Sequence, residues 1–390
     1  MSTDSTEIQA SVLHGVKDLR IESRTLPPPA PHELQIAIRS TGLCGSDLHY
    51  YHHNRNGDIL VREPLSLGHE SSGVVVAVGS CVPSSAFERG DRVALEVGLP
   101  CEECGRCREG RYNICTRMRF RSSAKSFPHF QGTLQGRVNQ PARWCHRLPE
   151  GVSFDLGALL EPLGVAIHAV RRARLEAGAT VLVFGAGAVG LLAAAVAKIK
   201  GARTVVIADI DQGRVDFAVE NRFAHMGYTV PMKRGQTIEE NLEIAKETAA
   251  AVAKLARTDG SEVGEVDAVF ECTGVPSCVQ AGIYATRPGG RLMLIGMGTP
   301  IQTLPVSAAA LREVDIVGVF RYANTYPEGI EIVSKKGPDL PDFSKLITHR
   351  YKGLESAVQA FDMAGRTKDE SGKLVLKVVI ETNEDERARL

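Results

Sequence analysis

Val181-Leu-Val-Phe-Gly-Ala-Gly-Ala-Val-Gly190 is the stretch that decides the fold. Four apolar residues suited to a strand run into Gly185, Gly187 and Gly190, spaced as G-x-G-x-x-G. The Ala-rich run Leu191 to Lys198 follows and reads as a helix. Strand, glycine turn and helix together are the setting in which this motif binds a dinucleotide. Gly185 permits the tight turn, Gly187 lets backbone approach a pyrophosphate, and Gly190 lets helix and strand pack closely. Val189 lies in the same opening turn, where unpaired N–H groups and the positive dipole end favour phosphate. A second run, Thr204 to Ala208, ends in Asp209. A carboxylate there accepts hydrogen bonds from the adenosine ribose hydroxyls and repels a 2′-phosphate, so NAD is favoured over NADP. Arg214 stands nearby and is of the type that accepts a 2′-phosphate.

Further out, the pattern continues with a charged helical segment, Gln236 to Leu255, and strands at Asp267 to Glu271 and Arg291 to Ile295. Strands alternating with helices predict a doubly wound parallel sheet, an α/β domain. The first third differs. Its short runs Leu34 to Ile38, Gly73 to Val78 and Arg92 to Leu95 are broken by Gly, Pro and Asp and read as β structure. The tail is mixed. The stretch Val219 to Gly264 is long for its place between two strands, and no function attaches to it.

A chain of 390 residues predicts about two domains. Its 46 basic and 46 acidic residues cancel, which argues against a nucleic-acid binder driven by bulk charge. No apolar run approaches the ~18 residues of a membrane span. Met1 to Ala10 has neither the basic nor the apolar region of a secretory signal. Ala388 to Leu390 shares a basic middle and terminal leucine with the peroxisomal tripeptide, but begins with alanine. The expected location is cytoplasmic, with reduced cysteines. Nine cysteines, an odd number in so long a chain, do not make a disulfide scaffold.

Four of them, Cys101, Cys104, Cys107 and Cys115, form C-x2-C-x2-C-x7-C. Four thiolates close a tetrahedral zinc shell and leave no position open, so this site is structural. Bacterial iron–sulfur loops share the first two gaps but close with three residues and a following proline, whereas here Thr116 follows. A second candidate set is scattered. Cys44 lies in Gly42-Leu-Cys-Gly-Ser-Asp-Leu-His-Tyr50, His69 and Glu70 in Gly68-His-Glu70, and Glu161 in Leu160-Glu-Pro162. Singly, each has an ordinary structural reading. Together they supply a thiolate, an imidazole and carboxylates, enough for a catalytic zinc with one open position.

These motifs, in this order along nearly the whole chain and with Glu271-Cys-Thr-Gly274, resemble the zinc-dependent medium-chain dehydrogenase/reductases. Gly68-His-Glu70, Tyr50 and Val319-Phe-Arg-Tyr322 resemble the polyol branch: the sorbitol, xylitol and L-arabinitol 4-dehydrogenases. The resemblance implies a catalytic zinc on Cys44, His69 and Glu70, with Glu161 holding its water or ligating directly. It implies that Tyr50, Arg321 and Tyr322 contact the polyol. It also implies that Thr273, Ile295, Gly296, Val319, Phe320 and Arg321 join Gly185, Gly187, Val189, Gly190, Asp209 and Arg214 around NAD. Ser46 and His49 are candidates to pass the alcohol proton to solvent; histidine suits this because it titrates near neutrality. Tyr51 to Asp58 departs from the family's shorter, aromatic-rich entry and leaves the choice of polyol open.

The architecture so implied is a GroES-like β-barrel catalytic domain, residues 1–162 and 303–390, with a Rossmann domain inserted at 163–302. The active site is expected in the cleft between them, as ligand sites often are. The implied activity is reversible oxidation of a secondary alcohol with two zincs per chain, one catalytic and one structural. The implied assembly is a homotetramer, with no nucleic-acid or membrane partner. L-threonine and 2,3-butanediol dehydrogenases are the nearest rivals. A zinc-free reductase on the same fold would lack the Cys44, His69 and Glu70 set, and a non-catalytic nucleotide binder would have lost a ligand.

Overall fold

The computed structural model describes residues 5–382, so the terminal tripeptide Ala388 to Leu390 lies outside the described residues. Two compact units emerge. One holds residues 5–161, 323–335 and 343–382, and the other 162–322 and 336–342. The chain passes from the first to the second within the helix Phe154–Ala173, between Glu161 and Pro162.

The second unit carries a six-stranded parallel sheet. Its strands run Met226–Thr229, Thr204–Asp209, Thr180–Phe184, Val266–Glu271, Thr286–Leu294 and Asp315–Gly318. Numbered by sequence, that order is 3-2-1-4-5-6, the doubly wound arrangement of a Rossmann domain. All five residues of Thr180–Phe184 are buried, as a strand covered on both faces requires. The helix Ala188–Ile199 buries Gly190 to Ala197 without a break. Its small alanines bring it close to the sheet, and each fully buried valine or leucine beneath it contributes about 1.5–3 kcal/mol.

From sequence this domain closes at 302. In the structure it runs on to Tyr322, because Asp315–Gly318 pairs with Thr286–Leu294 as the sixth strand. The long Val219 to Gly264 stretch also resolves into ordinary parts. It supplies the edge strand Met226–Thr229 and the crossover helix Ile238–Ala253, opened by a capping box between Thr237 and Glu240.

The first unit is largely β, with a GroES-like sheet at its centre. Strands Cys145–Arg147, Arg92–Leu95, Glu70–Val78, Glu33–Gly42, Lys377–Glu381 and Ile347–Lys352 lie side by side, and Arg137–Pro141 joins the first half of Glu33–Gly42. Two registers matter. Gly42 pairs with Glu70 on one side and with Val379 on the other. Segments far apart in sequence therefore end at the same corner of the sheet.

Candidate metal centres and dinucleotide site

That corner gathers the open metal set. Glu33–Gly42 ends two residues before Cys44, which caps the helix Gly45–His53, while its pairing with Glu70–Val78 brings His69 and Glu70 alongside. Cys44, His69 and Glu70 each offer a ligand atom within 4.8 Å of the others. Gly42 is required there, because a Cβ would sit 2.2 Å from Glu70 Oε2.

His69 is oriented by Asp47. Its Nδ1 lies 3.2 Å from Asp47 Oδ1, which leaves Nε2 for a metal; Ser46 Oγ is 3.4 Å from that Nε2. Fully buried Asp47 also accepts from Ser122 Oγ (2.6 Å), Gly68 N (3.1 Å) and Cys44 N (3.2 Å). Burial disfavours its charge, but the His69 imidazole and the Ser122 and Gly68 donors outweigh it and hold the carboxyl below its ordinary value. Neither Asp47's role nor that of Lys377 was visible in the sequence motifs. Lys377, 6% exposed, places Nζ 2.8 and 2.7 Å from the two Glu70 carboxylate oxygens and 3.0 Å from Leu43 O.

Glu161 is buried and lies outside the 4.8 Å set, though its charge reaches Lys377. One ammonium thus faces the Glu70 and Glu161 carboxylates beside a thiol. This donor set of one sulfur, one imidazole and carboxylates fits zinc with a position left open. His49 is exposed on the helix Gly45–His53, its ring 6.1 Å from His53. Tyr50, the third of the residues expected to contact the polyol, is enclosed. It is 2% exposed, packs in an apolar cluster with Leu67 and Leu134, and accepts from Ala124 N through its hydroxyl.

The four-cysteine cluster also forms. Cys104 to Cys107 and Cys115 to Cys101 are each 3.5 Å between sulfurs, Cys101 to Cys107 is 3.9 Å, and all four lie within 4.8 Å. Four sulfurs at ~2.3 Å from one zinc stand about 3.8 Å apart, so the cluster fits that ion. Burial raises both Cys101 and Cys107. At Cys101 the N–H groups of Glu103 and Cys104 outweigh it and bring the thiol down to about 6, while the neighbouring thiols help push Cys107 up to about 12.

In the second unit the glycine loop matches its expected geometry. A Cβ on Gly190 would stand 1.8 Å from Gly185 O, so helix and turn touch backbone to backbone. At Gly187 a Cβ would meet only Arg214 Nη1, at 3.9 Å, which leaves room for a phosphate. Asp209 Oδ2 accepts from Ala186 N at 2.6 Å and Oδ1 from Asp211 N at 2.9 Å, fixing the carboxylate against the loop. Val189 is half-buried in the opening turn. Glu271 accepts from Thr273 N (2.7 Å) and Gly274 N (3.0 Å), and its carbonyl accepts from the N–H groups of Ile295 (3.0 Å) and Gly296 (2.9 Å). Val319 N donates to Leu294 O at 2.9 Å, and Arg321 lies over the exposed Phe320 ring. Tyr322 is 3% exposed.

Comparison with known proteins bears on both units. Residues 30–150 match the family model described as alcohol dehydrogenase GroES-like domain, and residues 188–335 the one described as zinc-binding dehydrogenase. The chain is 40% identical to sorbitol dehydrogenase of Gallus gallus, over 94% of this chain and 96% of that one. It is 39% identical to the Bos taurus sorbitol dehydrogenase over 99% of each. Among solved structures, L-idonate 5-dehydrogenase from Escherichia coli superposes with a TM-score of 0.82 at 26% identity, covering 97% of this chain and 99% of that one. No helix among the described residues is long and apolar enough to cross a membrane.

Proposed function

Because the chain belongs to the family of zinc-binding alcohol dehydrogenases with a GroES-like domain, we propose that it is a zinc-dependent, NAD-linked polyol dehydrogenase. It reversibly oxidises a secondary hydroxyl of sorbitol, xylitol or L-arabinitol to the ketose. The observation that carries this is the convergence of Cys44, His69 and Glu70, in a chain about 40% identical to sorbitol dehydrogenases over nearly its full length.

Cys44, His69 and Glu70 would hold the catalytic zinc, and buried Glu161 adds a second carboxylate whose charge reaches Lys377. Zinc there supplies a Lewis acid that lowers the alcohol's pKa, worth several kcal/mol, and NAD supplies the hydride acceptor. The chain's own residues do the rest. Asp47 fixes the His69 tautomer, and Lys377 holds both oxygens of the Glu70 carboxylate in place. Ser46, its Oγ 3.4 Å from His69 Nε2, takes the alcohol proton, and exposed His49 releases it to solvent. Arg321 and Tyr322 orient the remaining hydroxyls, since unmatched polar groups are costly to bury. Cys101, Cys104, Cys107 and Cys115 hold the second, structural zinc. A cytoplasmic location suits the reduced thiols both sites need. A homotetramer is the assembly proposed. The outer edge of Asp315–Gly318 has no strand partner among the described residues, and Leu311 (87% exposed) and Ile316 lie bare in and before it, which supports self-association.

The test is an initial-rate panel with NAD over sorbitol, xylitol and L-arabinitol, set against L-threonine and 2,3-butanediol, with zinc counted per chain. The expected result is two zincs and a kcat/KM for the best polyol at least about tenfold above either rival. A preference for L-threonine or butanediol, or a zinc-free active enzyme, would reject the assignment.

Asp209→Ala is expected to lower the NAD-to-NADP ratio of kcat/KM by about 10–100-fold. It removes a ribose acceptor and a repulsive charge, and leaves Arg214 beside the loop. An unchanged ratio counts against the ribose role.

A further inference from the structure

Arg321 and Tyr322 are followed at once by a turn whose anchors all lie in the first unit. Arg321 (φ +50°) and Asn324 (φ +57°) are both left-handed, uncommon for non-glycine residues and a sign of a shape imposed by surroundings. Asn324 N donates to Tyr112 Oη at 2.6 Å, and Asn324 Nδ2 donates to Gly110 O at 2.8 Å. Gly110 and Tyr112 both lie in the loop between Cys107 and Cys115.

The network continues from there. Tyr112 Oη donates to Glu96 Oε1 at 2.5 Å, and buried Glu96 meets His146 Nε2 through Oε2 at 3.0 Å. His146 stacks on Tyr326 with ring centroids 4.7 Å apart, and Tyr326 Oη donates to Leu95 O at 2.8 Å. Ala323 packs in the apolar cluster that holds Tyr112, Cys115 and Trp144, with Cys101, Cys104 and Cys107 against it. Ala323, Asn324 and Tyr326 are thus fastened to the cysteine lobe and the sheet beside it.

We propose that the four-cysteine lobe is a positioning element for substrate: through Tyr112 and Gly110 it clamps Asn324 and so fixes the polyol-orienting Arg321–Tyr322 pair. This rests on the reading of Arg321 and Tyr322 as polyol contacts. The closed cysteine site takes no part in the chemistry, yet its loop supplies two hydrogen-bond partners of Asn324. The hydroxyl of Tyr112 is the shared atom, accepting from Asn324 and donating to Glu96.

Three variants test this: Tyr112→Phe, Asn324→Gly and Arg321→Ala. Phenylalanine keeps the ring that meets Trp144 edge-on at 5.0 Å and removes only the hydroxyl. Glycine keeps the left-handed backbone and removes the side-chain bond to Gly110. Tyr112→Phe, which loses the bonds to Asn324 and Glu96, and Asn324→Gly, which loses the bond to Gly110, are expected to raise the polyol KM about five- to tenfold, the size of one or two lost hydrogen bonds. Their kcat should stay within about twofold, and zinc content should be unchanged. Asn324→Asp, which keeps an acceptor-bearing side chain but loses the Nδ2 donor, should behave like Asn324→Gly. Arg321→Ala should raise KM by itself. If Arg321→Ala leaves KM unchanged, the polyol-contact reading fails and the clamp has no object. If Arg321→Ala raises KM while the Tyr112 and Asn324 variants lower only the melting temperature, the contacts stand and the positioning role is overturned.

Discussion

Cys44→Ser is expected to lower kcat by at least about 1,000-fold while NADH still binds within about twofold of its normal affinity. A serine hydroxyl is a far poorer zinc ligand than a thiolate, so the variant loses the ion or holds it badly. The stabilisation at stake is several kcal/mol, and each 1.4 kcal/mol is about a factor of ten in rate. The NADH half of the expectation comes from the second unit. Its glycine loop, Asp209 and the Glu271-anchored turn are held by bonds among residues 184–319. NADH fluorescence titration, zinc content and steady-state rates on one preparation separate the outcomes. Wild-type turnover in the variant would remove Cys44 from the machinery. Loss of NADH binding as well would mean that Cys44 holds the fold rather than the metal.

What could be read from sequence was what local chemistry writes locally. Gly190 is legible because only a glycine tolerates a backbone oxygen 1.8 Å from its Cβ position, and the neighbouring residues announce the turn. The four cysteines are legible because their loop is short enough for spacing to imply contact. Asp209 is legible because it ends a strand beside that turn. Lys377 was not. It lies 307 positions from Glu70 and meets it through the registers that set Gly42 against both Glu70 and Val379. Asp47 stood inside the quoted motif, but an acid in a helix's first turn also serves as a cap, which hid its contact with His69. The sixth parallel strand was missed because Asp315–Gly318 is four residues long and mostly exposed, without the apolar signature of a central strand. Tyr50 shows how little of packing the sequence carries. Its likeness to a substrate-contacting position said nothing about the packing that encloses it.

Lys377→Met is expected to destabilise the protein by about 3–5 kcal/mol, as breaking a buried ion pair from one side does. The reason is the partner left behind. Glu70 is 1% exposed, and both its oxygens lie within 2.8 Å of the Lys377 ammonium. In the zinc-free protein, where this is to be measured, the carboxylate without that ammonium keeps its desolvation penalty and loses its nearest positive charge. Methionine matches the apolar stem of lysine, so little of the loss comes from packing. A second substitution identifies the cause. Adding Glu70→Gln to Lys377→Met removes the stranded charge, and most of the lost stability should return. The pair is measured by denaturant titration of single and double variants, with zinc content alongside. The double variant, for all its recovered stability, should bind the catalytic zinc poorly and turn over slowly, because a neutral amide replaces a carboxylate ligand. Single and double variants that are equally unstable would place the loss in packing at the end of Lys377–Glu381. A fully stable single variant would show that the Lys377–Glu70 pair contributes nothing net to stability, and would leave the zinc as the cation that corner was built around.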